Sequence, residues 1–437
     1  MIHRRMALKD DTKRVAITGM AVNTRLGDTL EGFYKNLLAG QSGLTNWQSV
    51  DASSIYSKVG GDLIAYDIKG KMKALGEKVP ADMYKRMRKI LRKAPFSTSL
   101  SVLVAVDAML HAGLIDYDEL DPTRMALIVG GHNLNKLYQH NNYKQFQEEP
   151  DYIDSMAAFL SLDTDHAGSV GEVLGVTGPI YTMGGACASS NIGLRNAVDE
   201  VLYHDNDVAI VVGAALEFAP MDLHAMALMG AISFQNFHDT PEKASRPYDT
   251  IREGFIPSHG AAVLIIETVE HAKRRGAEIH AEVLGVSAMS DANHLPSPSI
   301  DGQSRTMARV LRRTGIPAEE IDFLSAHATS TPLGDITELR SIKKAFGKHA
   351  YNLKINAPKS MLGHTCWSAP AVETVAAVMQ MKGGWLHPSI NIDNLDPEVD
   401  LDVCANKKVE HQINYMLKNS FGFGGINCCS LLKRYDD

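Results

Sequence analysis

The chain has 437 residues, of which 45% are hydrophobic and 22% are charged, and its formal net charge is -7. This composition is typical of a globular protein and excludes a disordered or fibrous chain, while the acidic balance gives no overall attraction to nucleic acid or to an anionic membrane. At this length we expect two core-sized units or one large duplicated unit.

The cysteine content and the lack of long apolar segments indicate a cytoplasmic protein. Five cysteines are too few and too unevenly spaced for a disulfide framework, so a reducing compartment is expected. No apolar segment approaches the roughly 18 residues that span a bilayer. The N-terminus also lacks the apolar run of a signal peptide. We therefore expect neither a membrane anchor nor a targeting segment.

Strand and helix patterns alternate along the first half of the chain. Short apolar runs that end near glycines predict buried strands, and longer periodic patterns predict helices. Residues 48–82 have no interpretable pattern, and 133–147 is a polar stretch rich in Asn and Gln. The predicted strands are 14–22, 125–129, 180–186, 208–212 and 261–267, and the predicted helices are 30–38, 83–111 with an interruption at Pro95, 133–147 and 189–201.

The second half repeats four units of the first half in the same order. Self-similarity of this kind argues for a duplicated α/β core. It divides the chain into an N-terminal half, 14–268, and a C-terminal half, 279–434. The corresponding units are 14–22 and 279–286, the strands that end at His132 and His327, the turns and helices at Cys187 and at 359–379, and 208–213 and 417–422.

Cys187 lies between a predicted strand and a predicted helix, in the run Gly-Gly-Ala-Cys-Ala-Ser-Ser. The glycines permit a tight turn, and the small residues allow a helix to start close to it. A thiol at a helix N-terminus has a lowered pKa, because that end carries a partial positive charge. The pattern therefore fits a nucleophile, although a buried small hydrophobic residue remains open.

Two histidines and a lysine follow in the second half. His327 ends an apolar strand, and strand ends in α/β folds are where catalytic groups collect. A core histidine bonded to a carbonyl is the alternative. Lys359 and His364 lie in the run Lys-Ser-Met-Leu-Gly-His. A buried lysine needs a charge partner, and Glu373 is the nearest candidate, although this segment also fits a solvated loop.

A glycine-rich segment, 419–427, lies close to the C-terminus. Glycines on both sides of Phe423 suit a mobile ring or a backbone amide directed at a ligand. A nucleotide-binding loop would be followed by a helix, whereas 428–432 continues as a strand.

These segments together resemble the β-ketoacyl-acyl carrier protein synthases, the condensing enzymes of fatty-acid and polyketide synthesis. The resemblance extends over essentially the whole chain. Its motifs are, in order, the cysteine, His327 in H-x-T-x-T-P-x-G-D, Lys359 and His364 in K-S-x-x-G-H, and the G-F-G-G loop. It implies an α/β thiolase fold with five layers, αβαβα, built from two pseudo-symmetric halves. It also implies a homodimer, with no metal and no bound cofactor.

By this resemblance, Cys187 accepts an acyl group from the phosphopantetheine arm of an acyl carrier protein. His327 and His364 then hold the carbonyl of a malonyl thioester while carbon dioxide leaves, and the resulting enolate attacks the acyl group. Neutral imidazoles supply this stabilisation through hydrogen bonds from Nε2. Lys359, paired with Glu373, supports the histidines electrostatically and is not a base.

The resemblance also implies roles for residues around these groups. The backbone N–H groups of Cys187 and Phe423 form an oxyanion hole, and the Phe423 ring, flanked by Gly422 and Gly424, gates the second substrate. Thr329 and Thr331 match positions that hydrogen-bond the pantetheine arm.

A basic helix offers a docking surface for the acidic carrier protein. Lys85, Arg88 and Lys89 lie within a densely basic segment of a chain that is acidic overall. We expect them to steer the carrier protein toward the site more than to tighten its binding. A solvated basic face is the alternative reading.

The chain departs from the pattern at several places. Ala328 replaces a glycine, Ser258 and His259 replace Gly-Glu, and Cys366-Trp367-Ser368-Ala369-Pro370 replaces a run of small residues. The last change puts a large ring and a proline near the catalytic helix. We therefore prefer a specialised polyketide pathway over housekeeping fatty-acid synthesis.

Three other readings remain. A malonyl carrier-protein decarboxylase that supplies acetyl units for β-branching has the same fold but commonly lacks the cysteine. A non-catalytic partner subunit that shapes chain length typically lacks it as well. A coenzyme A thiolase needs a second reactive cysteine near the C-terminus, for which Cys428 and Cys429 are candidates, although their place inside a predicted strand favours a buried, unreactive role.

Overall fold

The computed structural model describes residues 14–436. Within this part of the chain, ten strands form one mixed sheet and four short strands form two separate pairs, β2 with β3 and β11 with β12. The strands are β1 (Val15–Thr24), β2 (Thr45–Asn46), β3 (Val59–Gly60), β4 (Met125–Gly130), β5 (Ile180–Met183), β6 (Val208–Gly213), β7 (Gly260–Thr268), β8 (Ala281–Ser290), β9 (Phe323–Ser325), β10 (Lys354–Asn356), β11 (Trp385–Leu386), β12 (Val409–Glu410), β13 (Tyr415–Gly422) and β14 (Ile426–Lys433).

The helices alternate with these strands. The α-helices of the described chain are α1 (Leu30–Leu38), α2 (Ile68–Gly76), α3 (Ala81–Leu91), α4 (Phe96–His111), α5 (Lys136–Glu148), α6 (Ala157–Leu160), α7 (Thr164–Leu174), α8 (Ser189–Tyr203), α9 (Pro220–Leu228), α10 (Val269–Arg274), α11 (Ile300–Thr314), α12 (Pro332–Phe346), α13 (Lys359–Leu362) and α14 (Ala369–Gly383).

The large sheet consists of two five-stranded halves with the same topology. Its strand order is β10-β9-β13-β14-β8-β1-β7-β6-β4-β5. In each half the three outer strands are parallel, and the two strands nearest the seam are antiparallel to their neighbours. The halves join where Val15–Ile17 of β1 pairs with Ala281–Val283 of β8. The duplicated α/β core expected from the sequence is confirmed.

Helices form three layers around the two half-sheets. Helices α8 and α14 contact each other and strands of both halves, so they form the central layer. Helices α4 and α7 cover the outer face of the first half, and α11 and α12 cover the outer face of the second. The five-layered αβαβα arrangement expected of a thiolase fold is therefore confirmed.

Each central helix is preceded by a strained turn. Ala186 has a φ of +47° immediately before Cys187, and Cys366 has a φ of +52° immediately before Trp367. Non-glycine residues rarely adopt this left-handed conformation, and it persists only where surrounding packing enforces it. Cys187 and Trp367 thus occupy equivalent positions in the two halves.

Most predicted elements lie where the sequence placed them. Helix α1 has the predicted bounds, and the interruption at Pro95 separates α3 from α4. The prediction missed α2 (Ile68–Gly76), whose single fully buried side chain, Leu75, gives little periodic signal. No helix in residues 14–436 is long and apolar enough to cross a membrane.

Candidate active site

The motif residues of both halves meet at one cavity of about 320 Å³. It lies where the turn before α8 approaches the loops after β9 and β13. The predicted site residues that line it are Cys187, His327, Thr329, Thr331, His364, Gly422 and Phe423.

Cys187 lies on the one-turn helix Ala186–Ala188 that leads into α8, and its exposed fraction is 6%. Ser189 fixes this turn, because its Oγ accepts from the Gly185 N–H at 2.9 Å and donates to the Ala186 carbonyl at 2.7 Å. Gly422 lies against the same turn: a Cβ on Gly422 would come within 2.5 Å of the Gly185 carbonyl oxygen. Cys187 is therefore held by contacts from both halves.

The thiol of Cys187 is protonated in the resting site. Burial raises its pKa to about 12, and the Lys359 ammonium and the backbone N–H groups of Cys187 and Phe423 act in the opposite direction. The sequence argument expected the helix N-terminus to lower this pKa. That expectation was wrong: the pKa of the thiol is raised overall, because the effect of desolvation is larger than that of the partial charge at the helix end.

His364 directs a nitrogen into the cavity. Its Nδ1 accepts from the Cys366 N–H at 3.2 Å, so the proton of the neutral ring lies on Nε2. Within residues 14–436 this buried Nε2 has no hydrogen-bond partner. The ring packs edge-on against Phe255, with 5.2 Å between centroids. His364 is therefore a fixed hydrogen-bond donor that awaits an acceptor.

His327 is positioned through its backbone. The N–H groups of His327 and Ala328 donate to the two carboxylate oxygens of Glu338, at 2.8 and 2.7 Å. Asn419 donates to the same carboxylate at 2.9 Å and so joins β13 to the end of β9. The sequence argument missed Glu338; a buried acidic residue on the predominantly buried face of α12 was the available signal.

Both imidazoles are neutral near pH 7. Burial lowers the pKa of His327 and of His364 well below the usual range, and the nearby Lys359 and Lys418 ammonium groups lower them further. The two rings meet edge to face, with 5.5 Å between centroids. Two neutral imidazoles at one cavity suit the stabilisation of a developing negative charge by hydrogen bonds.

Lys359 and Glu373 form an ion pair behind the histidines. Both side chains are 2% exposed, and Lys359 Nζ bonds to Glu373 Oε1 and, at 2.6 Å, to the carbonyl oxygen of His327. The segment is therefore buried and is not a solvated loop. Because its ammonium group is engaged by the Glu373 carboxylate and the His327 carbonyl and does not line the cavity, its position fits a supporting group better than a base.

The glycine-rich loop covers the cavity. Phe423 is 39% exposed, and its ring centroid lies 6.4 Å from that of Phe255. Gly424 and Gly425 follow with φ of +86° and +72°, a conformation that other residues rarely adopt. The loop can therefore turn back into β14 directly after the ring.

Thr329 and Thr331 lie on the opposite wall of the cavity. Their hydroxyl oxygens are 3.2 Å apart, so they hydrogen-bond to each other. Thr331 also caps α12, because its Oγ1 accepts from the Gly334 N–H at 3.2 Å. Two hydroxyl groups beside the nucleophile suit contacts with a polar substrate arm.

The basic residues proposed for docking lie outside this cavity. Lys85, Arg88 and Lys89 are exposed on α3, which packs against α7. Lys89 pairs with Glu172 at 2.8 Å, and the Arg88 guanidinium lies over the Tyr84 ring. Of the three, Lys85 extends into solvent most freely.

The two cysteines near the C-terminus do not reach the cavity. Cys428 and Cys429 are fully buried in β14, and burial raises the pKa of both thiols. A thiolase would need a reactive second cysteine, so their burial argues against that reading.

Trp367, the unusual residue before α14, packs against His132. The two rings stack with 4.5 Å between centroids and 21° between planes, and the indole N–H donates to the His132 carbonyl at 2.8 Å. The His132 ring in turn lies over Gly184, in the segment that leads to Cys187. A rigid aromatic pair therefore supports the turn that carries the nucleophile.

A thiol on a strained turn, with two neutral imidazoles and two backbone N–H groups close to its sulfur, is a combination that suits acyl-transfer chemistry. The chain belongs to the β-ketoacyl synthase family. The model of the β-ketoacyl synthase N-terminal domain matches residues 12–272, and that of the C-terminal domain matches residues 280–393.

Individual relatives span almost the whole chain. It is 35% identical over 424 residues to the chloroplastic 3-oxoacyl-[acyl-carrier-protein] synthase I of Arabidopsis thaliana, covering 96% of this chain and 86% of the relative. It is 31% identical to the polyketide biosynthesis malonyl-ACP decarboxylase PksF of Bacillus subtilis, covering 96% of each.

A solved structure has the same fold. A type II polyketide synthase acyl-carrier protein in complex with its ketosynthase bound to the hexaketide matches with a TM-score of 0.82 and 25% identity. The match covers 97% of this chain and 100% of that chain. Both the fold and the family expected from the sequence are therefore confirmed.

Proposed function

We propose that this β-ketoacyl synthase is an acyltransferase that condenses an acyl thioester with a malonyl carrier-protein thioester, with loss of carbon dioxide, in polyketide or fatty-acid biosynthesis. The observation that carries the proposal is the convergence of the buried Cys187 thiol and the unpartnered Nε2 of His364 on one cavity. The two halves of the proposed division, 14–268 and 279–434, each supply one part of this arrangement.

The first step is an exchange of thioesters. The sulfur of Cys187 attacks the acyl carbonyl, the bond from that carbonyl to the pantetheine sulfur breaks, and the thiol proton passes to the departing sulfur. No proton is gained or lost overall in this exchange, so a thiol that is protonated at rest is compatible with the reaction. The backbone N–H groups of Cys187 and Phe423 both act on the sulfur. They are therefore placed to stabilise the adjacent oxyanion.

The second step is decarboxylation followed by carbon–carbon bond formation. The malonyl thioester carbonyl accepts hydrogen bonds from Nε2 of His327 and His364. As carbon dioxide leaves, its bonding electrons form an enolate at that oxygen. The enolate carbon then attacks the acyl group, and the Cys187 sulfur departs as a thiolate and takes up a proton from water. Lys359 and Glu373 hold the histidines in place during this step.

The substrates reach the site as phosphopantetheine thioesters, so the enzyme needs no bound cofactor. Thr329 and Thr331 line the wall beside the nucleophile, where their hydroxyl groups suit the amides of the pantetheine arm. We assign the Phe423 ring, which lies between Gly422 and Gly424, as the gate for the second substrate.

The proposed partner is an acyl carrier protein, which docks on the exposed residues Lys85, Arg88 and Lys89 of α3. If these residues steer the carrier protein electrostatically, the double variant Lys85→Glu/Arg88→Glu should have a higher KM for malonyl carrier protein at low salt. Its KM for malonyl-pantetheine should be unchanged. Lys407→Glu, at another exposed lysine, is the matched control. Equal KM values for the double variant and the control would refute this surface.

A homodimer is the proposed assembly. Strand β5 is at the edge of the large sheet, and its outer side has no partner strand in the described chain. Exposed apolar side chains on β5 and in the preceding segment 143–162 make an interface the natural means of covering this edge. They are Tyr143, Phe146, Tyr152, Phe159, Leu162 and Ile180.

The dimer has a direct test in light scattering after gel filtration. Ile180→Lys places a charge on the edge strand and is expected to give monomers. Ile251→Lys, at an exposed apolar position elsewhere, should leave the dimer intact. Monomeric wild-type protein would refute the proposal.

The proposed location is the cytoplasm. All five cysteines lie within the described residues, and they are free and buried. Five free thiols in one chain suit a reducing compartment.

A second candidate is a malonyl carrier-protein decarboxylase that supplies acetyl units, as favoured by the likeness to PksF. The presence of Cys187 ranks it below condensation. A non-catalytic partner subunit ranks lower still, because Cys187, His327, Lys359 and His364 are all present and grouped.

Intact mass separates these activities. The wild type, Cys187→Ser and Cys187→Ala are exposed to acyl- and malonyl-loaded carrier protein while the products are followed. Condensation predicts a thioester adduct on the wild type alone and a β-ketoacyl product. Acetyl-carrier protein that forms without an adduct, and persists in both variants, would establish decarboxylation as the function instead.

A further inference from the structure

Lys418 is a fully buried lysine at the centre of the second half-sheet. It lies on β13, with Ser325 of β9 and Ser430 of β14 as its register partners, and its side chain is 0% exposed. A buried ammonium group destabilises a protein by several kcal/mol unless a counter-charge and hydrogen bonds compensate for the lost water. Its presence in the core therefore requires an explanation.

The partners of Lys418 connect it to the active site. Its Nζ lies 2.6 Å from Glu373 Oε2 and donates to the Asn419 carbonyl and the Ser420 hydroxyl. The other oxygen of Glu373 binds Lys359, which in turn binds the His327 carbonyl. One carboxylate thus joins two ammonium groups, and the chain of contacts ends at a histidine of the site.

Lys418 is the second cation on one carboxylate. Lys359 and Lys418 contribute two positive charges, and Glu373, which lies between them, contributes one negative charge. The second carboxylate of the cluster, Glu338, is held on the far side by the backbone N–H groups of His327 and Ala328 and by Asn419, so the cluster balances only because Lys418 is present. The charged and titratable groups around the two rings are Lys359, Lys418, Glu373, Glu338, Cys187, Cys366 and, across the cavity, Asp291.

Neutralising Glu373 does not require Lys418, because Lys359 already does so. The additional charge has an effect at the site: the Lys418 ammonium lowers the pKa of both His327 and His364. A fixed positive charge in a buried site is a stronger stabiliser than the same charge in water.

We propose that Lys418 is a positioning residue for the condensation reaction, which holds Glu373 and supplies a second buried positive charge behind His327 and His364. This inference rests on the proposed function for its catalytic part. The charge stabilises the enolate and keeps both imidazoles in the neutral form that donates from Nε2.

The test compares Lys418→Met with the wild type. The variant keeps the apolar stem but removes the charge, leaving Lys359 and Glu373 to cancel each other. The rate of malonyl carrier-protein decarboxylation is measured from pH 9 down to the lowest pH at which both proteins stay folded. We expect kcat to fall about 10-fold or more with little change in KM, and the acid limb to move up by about one pH unit.

Two further variants identify the cause of any loss. Lys354 lies on the edge strand β10 and forms an ion pair with Asp402. Lys354→Met therefore controls for the loss of an ion pair far from the imidazoles. Glu373→Gln combined with Lys418→Met removes one charge of each sign and so restores the net charge of the wild-type cluster. We expect the acid limb of the double variant to return toward the wild-type value.

A purely structural Lys418 would lower the melting temperature and the rate without moving the acid limb, and that outcome would overturn the proposal. Titration of the ¹³C-labelled imidazoles by NMR reads the same shift without turnover. It therefore distinguishes a failure of this inference from a failure of the proposed function. Unchanged imidazole titration in both the Lys418→Met and the double variant would also overturn it.

Discussion

Gly422→Ala is expected to slow acyl transfer without disturbing substrate binding. The added Cβ would lie 2.5 Å from the Gly185 carbonyl oxygen, whereas ordinary contacts begin at 3.4 Å, so the turn that carries Cys187 must retreat by roughly 0.9 Å. A misplacement of about 1 Å at a reacting centre costs roughly 100-fold in rate. We therefore expect kcat to fall by about 100-fold, with KM for the carrier-linked substrate almost unchanged.

The assay follows the acyl adduct on Cys187 by intact mass after mixing with acyl-loaded carrier protein. Gly168→Ala is the control, because a Cβ at this exposed glycine of α7 meets nothing within 4 Å. It should leave the rate unchanged and raise stability by about 0.5 to 1 kcal/mol, the usual gain for alanine over glycine in a helix. A Gly422→Ala protein that acylates at the wild-type rate would refute the argument.

The remaining predictions concern protonation and the substrate arm. With the pKa of Cys187 near 12, about one thiol in ten thousand is ionised at pH 8. Iodoacetamide should therefore modify Cys187 slowly, at a rate that rises with pH. Complete modification within minutes at pH 7 would contradict this prediction. The pKa of both His327 and His364 lies well below the usual range. The decarboxylation rate of the wild type should therefore not fall as the pH is lowered through 6.5. An acid limb at that pH would contradict this prediction. Thr331→Val and Thr329→Val should both raise KM for carrier-linked substrates, and both lose the hydrogen bond between the two hydroxyl groups. Thr331→Val also loses the helix cap, so it should cost about 1 kcal/mol more in the free energy of unfolding than Thr329→Val. Denaturant titration compares the two variants, and equal stability losses would refute the distinction.

The helices and strands that have a clear periodic pattern in their own residues were predicted from the sequence. The apolar strands and their repeated order depend on short periodic patterns, and those patterns predicted the duplicated core. The five-layered fold was expected from the family resemblance. Helix α2 was missed because it buries only Leu75, so its pattern does not differ from that of a loop.

The effect of burial on the site was not predicted. Spacing placed Cys187 at a helix N-terminus, which is correct, but it could not show that desolvation would dominate the pKa of the thiol. In the same way, the sequence presents Lys418 as one basic residue in a strand pattern, and only the packed structure shows that Glu373 lies between two lysines.

Contacts between distant segments account for the other omissions. Glu338 reaches the end of β9 only because α12 folds back across it. The stacking of Trp367 on His132 joins residues 235 positions apart. A single sequence does not reveal such pairs, because the two residues are far apart in the chain and neither one can be inferred from the residues around the other.

The register of β1 has a consequence for synthesis of the protein. All ten residues of this strand are buried, and its main partner, β7, ends at Thr268, which pairs with Val15. At a translation rate of about 5 to 20 residues per second, an apolar strand near the N-terminus waits roughly 10 to 50 s before its neighbour exists. During that interval the nascent chain presents a ready template for aggregation, so its yield in a cell should depend on chaperones that bind near the ribosome.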